Sequence, residues 1–322
     1  MYFLESASRD PRFNLALEER LFNSDGEYLM LWQNAPSVIV GKFQNAPEEA
    51  DLRYCAEHNI PVVRRLTGGG AVYHDEGNLN YSILVEERDE APDFRTFAAP
   101  VIRALERFGV RAEFNGRNDL AVEGKKISGC SQSIRNARVL HHGCILLDSD
   151  LETLSRALKG NKEKYASRGI GSVVSRVTTV NACAPQRVEM EDFRRALAEE
   201  ILAGGGAEPY ALTPEDLRAA EKLRDEKYAA WEWNIGYGAT YAFTNRRRFP
   251  WGTVSVAMDA EAGRIRSVKF SGDFFGEDVG ALEEGLRGAA LDEKLPSVLS
   301  GLNAARHIRG CAPEDLAGLL LE

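Results

Sequence analysis

The chain has 322 residues, of which 44% are hydrophobic and 28% charged. This length suggests two domains, with cores large enough to be stable without disulfides or structural metals. Its formal net charge of −9 argues against nucleic acid and against anionic membranes as partners. Five scattered cysteines without C-x-x-C spacing predict a reduced, cytoplasmic chain with no disulfide framework and no structural zinc. The charge-interrupted N-terminus predicts no signal peptide, and no stretch approaches about 18 uninterrupted apolar residues.

Hydrophobic periodicity predicts a mixture of helices and strands along the first two thirds of the chain. Apolar residues at helical spacing predict helices over 14–22, 47–57, 94–108, 151–158 and 190–202. Runs rich in β-branched or alternating apolar residues predict strands over 28–32, 38–40, 62–65, 71–73, 79–85, 119–122, 126–134 and 139–147. Because several strands are joined by hairpin-like connections, the pattern favours an α+β fold over repeated βαβ units.

The last third of the chain predicts a second, smaller unit. Thr213-Pro214-Glu215-Asp216 combines a capping threonine, a first-turn proline and a capping-box acid, which predicts a helix to about residue 231. We predict a boundary beside the arginine triplet at 246–248, with a large domain over 1–241 and a small α+β domain over 242–322. Two strands and two or three helices are expected in the small domain. The triplet could bind phosphate, but a solvated linker face is the commoner role.

The most informative stretch is 62–82, VVRRLTGGGAVYHDEGNLNYS, in which three glycines lie between two strand-like runs. Since glycine has no Cβ, Gly68, Gly69 and Gly70 can adopt positive φ and let their amides approach a ligand closely. Successive amides in such a loop form a concave nest for phosphate or carboxylate, and an adjacent arginine adds a guanidinium suited to the same anions. The loop predicts an anion-binding site, with a flexible hairpin as the alternative.

Other phosphate-binding patterns do not fit this chain. Neither Gly41-Lys42-Phe43 nor Gly124-Lys125-Lys126 completes a P-loop, and Tyr73 occupies the last glycine position of the dinucleotide fingerprint. The second glycine triplet, at 204–206, follows a predicted helix and has no flanking arginine. It is interpreted as a helix end and loop.

A second group of chemically useful residues lies at 116–144, GRNDLAVEGKKISGCSQSIRNARVLHHGC. Adjacent residues of a strand point to opposite faces of the sheet. In each of the pairs Lys125-Lys126, Arg64-Arg65 and His141-His142, one residue can therefore face a binding site, and the other, called the bystander below, points away from it. A buried lysine can sit between several oxygens as negative charge develops, whereas a single lysine is more often simply solvated.

Three further residues of this group have two interpretations each. Asp119 either contacts ribose or a metal-bridged phosphate, or it only fixes its turn. His142 and Cys144 share a strand face, which permits a Cys/His nucleophile, although a buried and unreactive thiol is the commoner arrangement. His141-His142 is a poor metal pair because the two rings diverge.

Taken in chain order, several segments together resemble the lipoate–protein ligase family over nearly the whole chain. The segments are Asp10-Pro11 with Asn14-Leu15-Ala16 and Glu18, LWQNAPSVIVGKFQN at 31–45, RRLTGGGAVYHDEGNLNYS at 64–82, RNDLAVEGKKISGCSQ at 117–132, HHGCILLDSDL at 141–151 and KYASRGIGSVVSRVT at 164–178. KYAAWEWNIG at 227–236 and GDFFG at 272–276 resemble the accessory-domain region of the family. Each motif is weak by itself, but the set in this order is highly specific.

The resemblance implies an enzyme that activates the carboxylate of lipoic acid with ATP, keeps lipoyl-AMP bound and transfers the lipoyl group to an acceptor lysine. The implied acceptors are the apo-lipoyl domains of 2-oxoacid dehydrogenase acyltransferase subunits and the glycine cleavage H protein. The implied fold is a catalytic domain of the biotin/lipoate protein ligase type, with mixed sheets and flanking helices, followed by a small accessory domain. Mg²⁺ is expected to be carried by the ATP phosphates, with Asp119 as the one protein group that could assist.

The same resemblance implies roles for individual residues. Lys126 would contact both the lipoate carboxylate and the α-phosphate, which makes it the catalytic candidate. The nucleotide-binding set would be Arg65, Gly68, Gly69, Gly70, Ala71, Val72, Tyr73, Asn78, Asp119 and Lys126. An apolar slot for the lipoyl chain should end at the lysine, and its candidate walls are Val72, Ile127, His142, Ile145 and Leu147. Ordinary core packing is the alternative for the aliphatic residues.

Two rival functions stay open at this point. A cysteine-dependent octanoyl or lipoyl transferase of the same superfamily would carry its acyl group as a thioester on Cys144, beside His142. A non-catalytic lipoate- or nucleotide-binding protein would keep the fold without the reaction. The sequence does not decide between lipoate and octanoate as the preferred acid.

Overall fold

The computed structural model describes residues 1–87, 93–116, 118–159, 176–203, 206, 208–235, 243–261 and 263–321. The predicted domain boundary at 241 and 242, most of the motif at 164–178, and two glycines of the triplet at 204–206 lie outside these residues. No helix in the described ranges combines the length and the apolar character that crossing a membrane requires.

Strands and helices alternate irregularly along the chain, as predicted for an α+β fold. The described strands are β1 Tyr2–Glu5, β2 Tyr28–Trp32, β3 Ser37–Val40, β4 Val62–Arg64, β5 Val72–His74, β6 Asn78–Glu86, β7 Glu113–Asn115, β8 Asp119–Val122, β9 Lys125–Arg135, β10 Arg138–Leu146, β11 Glu208–Pro209, β12 Phe243–Phe249, β13 Gly252–Glu261 and β14 Arg264–Asp273. The described α-helices are α1 Pro11–Phe22, α2 Ala46–Glu49, α3 Leu52–Glu57, α4 Phe94–Glu106, α5 Leu151–Ala157, α6 Val180–Cys183, α7 Met190–Leu202, α8 Pro214–Leu223, α9 Trp231–Asn234, α10 Val279–Gly285, α11 Leu295–Gly301, α12 Ala304–His307 and α13 Pro313–Leu321.

An eight-stranded sheet with the order β11-β1-β2-β6-β10-β9-β8-β7 forms the centre of the large domain. Alternation along each strand sends side chains to its two faces in turn. One face packs against α4 and α7 in an apolar core that includes Tyr81, Phe97 and Phe193. The other face is covered in part by α1, through residues such as Leu15 and Leu17. This second face, called the cavity face below, carries the candidate site.

A separate three-stranded sheet, with the order β4-β3-β5, holds the glycine-rich loop. β3 pairs in parallel with β4 and antiparallel with β5, so the chain between them must cross over β3. Within that crossing, Gly69 has a φ of +89°, in the left-handed region that favours glycine. The predicted need for positive φ in this loop is therefore confirmed at one of its three glycines.

The small domain is built on an antiparallel sheet of β12, β13 and β14, whose two faces differ in polarity. One face carries residues such as Phe270 into an apolar core with α10 to α13. The opposite face carries Arg248, Thr253 and Asp273, which are register partners across the three strands. The polar face turns towards the large domain, because an Asp273 carboxylate oxygen lies 3.6 Å from the position of a Cβ added to Gly70.

The GDFFG segment at the end of β14 docks the small domain onto the glycine-rich loop. Gly69 N–H donates to Phe274 O at 3.0 Å, and Gly272 N–H donates to Phe43 O at 2.8 Å. The rings of Phe43 and Phe274 stack with centroids 4.8 Å apart. A Cβ on Gly68 would lie 2.1 Å from Phe274 O, so this close approach requires glycine.

Two predicted helices are divided in the structure. The helix predicted over 47–57 is interrupted because Ala50 is extended, with φ −118° and ψ 143°, and Asp51 then caps α3. The helix predicted to reach about residue 231 ends at Leu223, a π-helical turn follows over Arg224–Tyr228, and α9 is separate. The predicted capping box at its N-terminus forms. Four described helices, α10 to α13, close the chain, where two or three were predicted.

Candidate functional site

Two adjoining cavities lie between the cavity face and the glycine-rich loop. The inner cavity has a volume of about 230 Å³ and the outer cleft about 650 Å³. The residues that line both are Gly70, Ala71, Val72, Asp119, Lys126, Gly129, Cys144 and Asp273. The inner cavity continues towards Trp32, and the outer cleft continues towards Arg246 and Arg248 of the small domain. Lys126 therefore lies where the two spaces meet.

A β-bulge on β9 aims Lys126 into this junction. Lys126 and Ser128 pair with consecutive residues of β8, so Ile127 is an extra residue between them. Strict alternation would send Lys126 and Gly129 to opposite faces of the sheet. With the extra residue, both line the cavities, and Ile127 is buried in the core on the other side.

Asp119 holds the Lys126 ammonium group above the backbone of Gly129. Lys126 Nζ is 2.8 Å from Asp119 Oδ1, and a Cβ on Gly129 would lie 2.6 Å from the same Nζ. Burial lowers the pKa of Lys126, but the Asp119 carboxylate outweighs burial, and the pKa lies above its ordinary value. Lys126 is thus a fixed, protonated cation that can stabilise developing negative charge.

Arg65 shapes the glycine-rich loop from inside the protein. Its Nη2 donates to Gly68 O at 2.6 Å and Gly70 O at 2.9 Å, and its Nη1 donates to Ile39 O at 3.2 Å. Its Nε donates to Thr67 Oγ1 at 3.0 Å. Burial lowers the pKa of Arg65 to about 10, so the guanidinium stays charged at neutral pH. Since an arginine has five N–H donors, these contacts leave one Nη1 hydrogen for a ligand.

A chain of buried hydrogen bonds joins Arg65 to Glu18 through Thr67 and His142. Thr67 Oγ1 accepts from Arg65 Nε and also forms a hydrogen bond with His142 Nε2, 2.7 Å away. Because a carboxylate oxygen accepts, His142 carries a proton on Nδ1 and donates it to Glu18 Oε1 at 2.8 Å. Ser82 Oγ donates to the same carboxylate oxygen at 2.5 Å. The fully buried Glu18 therefore fixes the tautomer of His142 and, through Thr67, the orientation of Arg65.

A row of register partners across five strands forms the floor of the inner cavity. The row consists of Trp32 on β2, Asn80 on β6, Cys144 on β10, Gly129 on β9 and Asp119 on β8. At about 4.8 Å between strands, Asn80 lies roughly 10 Å and Trp32 roughly 14 Å from Gly129. The floor thus leads from a charged end at Asp119 to an apolar end at the indole of Trp32.

The structure brings most of the predicted site residues to these cavities. Those that line one cavity or both are Arg65, Gly70, Ala71, Val72, Tyr73, Asp119, Lys126, His142 and Cys144. Gly68 and Gly69 instead contact the GDFFG segment. Asn78 is fully buried on β6, and within the described ranges neither polar atom of its side chain has a hydrogen-bond partner.

The prediction that Ile127 and Ile145 form walls of the acyl pocket is corrected by the structure. Both are fully buried, with Leu147, in the core between the sheet and helices α4 and α7. Their neighbours Lys126 and Cys144 face the cavities, so alternation sends the two isoleucines to the opposite face. The apolar lining comes instead from Leu15, Trp32 and Ile39. The one signal for these three was their position inside segments that resemble the family.

The three predicted bystanders have different environments. Lys125 is exposed, as expected for the lysine that does not face the cavities. The Arg64 guanidinium is buried and joins β4 to α9 by donating to Asn234 O at 2.9 Å. His141 stacks on Phe97 with ring centroids 4.3 Å apart, and burial holds its pKa well below the ordinary value. The arginine and histidine bystanders are therefore structural rather than solvated.

Comparison with known proteins identifies the family. Residues 10–202 match the model of the lipoyl protein ligase A/B catalytic domain, and residues 239–320 match the bacterial lipoate protein ligase C-terminus. The chain belongs to the lipoate–protein ligase family. This ligase is 37% identical to the lipoate-protein ligase LplJ of Bacillus subtilis (strain 168), over 99% of this chain and 100% of that protein. It is 40% identical to lipoate–protein ligase 1 of Staphylococcus aureus (strain Mu50), over 90% of each chain.

Solved structures confirm the fold of the ligase. The bi-partite lipoate protein ligase of Thermoplasma acidophilum is 31% identical with a TM-score of 0.65, covering 75% of this chain and 98% of that one. A lipoate-protein ligase A bound with ATP is also 31% identical, with a TM-score of 0.64, covering 73% and 97%. P. falciparum LipL1 in complex with lipoate covers 99% of both chains with a TM-score of 0.78, and at 22% identity it shows the shared fold alone. The ligase is therefore an α+β enzyme with a C-terminal accessory domain.

Proposed function

We propose that this ligase activates lipoate with ATP as lipoyl-AMP and then joins the lipoyl group to a lysine of an acceptor domain. The proposed acceptors are apo-lipoyl domains of 2-oxoacid dehydrogenase complexes and the glycine cleavage H protein. The structural study of the T. acidophilum ligase includes its E2 lipoyl domain, which supports the first class of acceptor. The cytoplasmic location expected from the cysteine content stays a prediction.

The position of Lys126 at the junction of the two cavities is the observation that carries this proposal. A lipoate carboxylate beside Lys126 directs the acyl chain along the floor of the inner cavity. An eight-carbon chain extends roughly 8 Å at about 1.2 Å per bond, which brings the dithiolane ring close to Asn80 and Trp32. The ATP phosphates then occupy the outer cleft, against the backbone of Gly70 and the start of β5.

The chemistry has two steps. First, a carboxylate oxygen of lipoate attacks the α-phosphorus of ATP, and the bond to the bridging oxygen breaks to release pyrophosphate. Because two anions meet at this phosphorus, Lys126 stabilises the transition state by lying between their oxygens. In the second step, the neutral amine of the acceptor lysine attacks the acyl carbon, AMP leaves with the phosphate oxygen, and the nitrogen loses a proton.

Mg²⁺ enters as part of the Mg–ATP substrate. It is held mainly by phosphate oxygens and takes one or two carboxylates where they are offered. Asp119 and Asp273 both line the cavities, so the oxygen donors suit a hard cation. In the part of the chain that the structure describes, no group of three or more His, Cys, Asp or Glu side chains could hold a metal without the nucleotide.

The geometry around Cys144 argues against the cysteine-dependent transferase. Both ring nitrogens of His142 are engaged, by Glu18 and by Thr67, so neither activates the thiol. Cys144 Sγ instead donates to Gly129 O at 3.7 Å. We expect Cys144→Ser to retain ATP-dependent transfer of free lipoate to an apo-lipoyl domain, as measured by the mass of the acceptor. Loss of this activity in a folded variant would favour the transferase.

The proposed function is tested by leaving out one component at a time. Purified protein is incubated with an apo-lipoyl domain, lipoate and Mg-ATP, and the acceptor is weighed by mass spectrometry. A lipoyl mass increase should appear only in the complete mixture. An increase without ATP contradicts the ligase mechanism, and ligand binding without pyrophosphate release or acceptor modification supports the non-catalytic alternative.

Thr67 offers a test of the hydrogen-bond chain behind Arg65. Thr67→Val keeps the shape of the side chain but removes the acceptor for Arg65 Nε. We expect the KM for ATP to rise about tenfold, because hydrogen bonds from charged groups contribute ~1.5–3 kcal/mol. Thr67→Ser retains the hydroxyl and should stay close to wild type. Equal effects of the two substitutions on KM, at matched melting temperatures, would contradict this role.

A further inference from the structure

The arginine triplet at 246–248 has no part in the chemistry above, although two of its members line the outer cleft. Strand alternation places Arg246 and Arg248 on the polar face of the small-domain sheet and Arg247 on the other face. Arg248 lies in the same cross-strand row as Asp273, whose carboxylate faces the glycine-rich loop at Gly70. The triplet is therefore divided, and its outer two members point towards the nucleotide end of the site rather than forming a solvated linker face.

Arg248 differs from the other cations of the outer cleft in having no partner among the residues that the structure describes. Lys126 is paired as described above, and Lys159 Nζ donates to a backbone carbonyl at 3.0 Å. Arg246 forms an ion pair of 3.2 Å with Glu48, which links the two domains at the edge of the cleft. Arg248 is exposed, and among the described residues its guanidinium makes neither a hydrogen bond nor an ion pair.

We propose that Arg248 binds the pyrophosphate end of ATP and stabilises that group as it leaves during adenylation. The inference rests on the proposed function, and it assigns the accessory domain a direct part in the first step. When the α–β bridging bond breaks, its electron pair stays on the pyrophosphate oxygen, so negative charge grows on the leaving group. Lys126 is committed to the reacting carboxylate and α-phosphate. A planar guanidinium on the opposite wall can donate two parallel N–H groups to phosphate oxygens.

The shape of the outer cleft favours a nucleotide over an acidic acceptor domain as the partner of Arg248. The cleft of about 650 Å³ is lined by Arg248, Lys126 and the backbone from Gly70 to Tyr73. A folded domain is far too large to enter such a space, whereas a nucleotide tail fits inside it. Asp273 lies two strands from Arg248 in the same cross-strand row, and both residues line the cleft.

The test compares Arg248→Gln with Arg266→Gln in the full-length protein. Arg266 is an exposed arginine of the same sheet that pairs with Glu261 at 2.9 Å and does not line the cleft. Lipoate-dependent pyrophosphate release is measured against ATP concentration, together with inhibition by added pyrophosphate. Transfer from chemically prepared lipoyl-AMP to an apo-lipoyl domain is measured separately, and pyrophosphate binding is measured by calorimetry.

We expect Arg248→Gln to lower kcat/KM for ATP about tenfold and to weaken inhibition by pyrophosphate by a similar factor. Transfer from preformed lipoyl-AMP should be unchanged, and Arg266→Gln should match wild type in every assay. Unchanged pyrophosphate inhibition in Arg248→Gln overturns the proposal. A raised KM for the acceptor with normal use of ATP also overturns it and assigns Arg248 to acceptor docking. Wild-type protein that releases no pyrophosphate contradicts the proposed function itself, and calorimetry with pyrophosphate then still tests Arg248.

Discussion

Replacing Lys126 with alanine is expected to reduce lipoyl-AMP formation by roughly 10²- to 10³-fold, measured as lipoate-dependent pyrophosphate release. Among the described residues that line both the inner cavity and the outer cleft, Lys126 carries the positive charge. Its pKa lies above the ordinary value because Asp119 outweighs the effect of burial, so it is protonated at neutral pH. Without it, the carboxylate and the α-phosphate repel each other with no cation between them.

The neighbouring Lys125 is the matched control for this substitution. Lys125 is exposed on the same strand and lies outside both cavities, so Lys125→Ala removes an identical charge without changing the site. We expect Lys125→Ala to release pyrophosphate at the wild-type rate. Wild-type release by a folded Lys126→Ala protein would remove Lys126 from the mechanism, and equal losses in the two variants would indicate a general effect of charge.

The second large effect is expected from Gly129→Ala, on the order of 10²-fold in pyrophosphate release, because a displacement of about 1 Å can cost that much. The added Cβ would lie 2.6 Å from Lys126 Nζ, which is the far end of a flexible side chain. The ammonium group can therefore move aside without disturbing the backbone. The fold should survive, while the cation leaves its place beside Asp119.

This combination of lost activity and retained stability is what distinguishes the Gly129 prediction from ordinary core damage. Gly301→Ala is a suitable control, because a Cβ at that position in the small domain meets nothing within 4 Å. Melting temperatures of both variants should stay close to wild type, and only Gly129→Ala should lose activity. A Gly129→Ala protein with normal pyrophosphate release would show that the ammonium position tolerates the methyl group.

The sequence alone determined the local features of this protein. The spacing of apolar residues predicted the helix over 190–202 and the strands over 28–32 and 119–122 with the bounds that the structure has. Alternation along β9 correctly predicted that one lysine of Lys125-Lys126 would be exposed, because the choice between two faces is a property of adjacent residues. The need for glycine in the loop was also local, since positive φ depends on the residue itself.

The tertiary structure decided what no local pattern contains. The bulge at Ile127 depends on how β9 pairs with β8, and it is this pairing that puts Lys126 and Gly129 on one face. Packing of the eight-stranded sheet against α4 and α7 buries Ile127 and Ile145 in the core, although the sequence had made them candidate pocket walls.

The chain of hydrogen bonds from Arg65 to Glu18 likewise joins α1, the glycine-rich loop and β10, through residues as far apart in the sequence as Glu18 and His142. One wall of the outer cleft includes Arg248, which belongs to the small domain. Sequence periodicity reports which residues are buried or exposed along one element. The partner that each element packs against, and therefore the shape of a cavity between elements, is set by long-range packing.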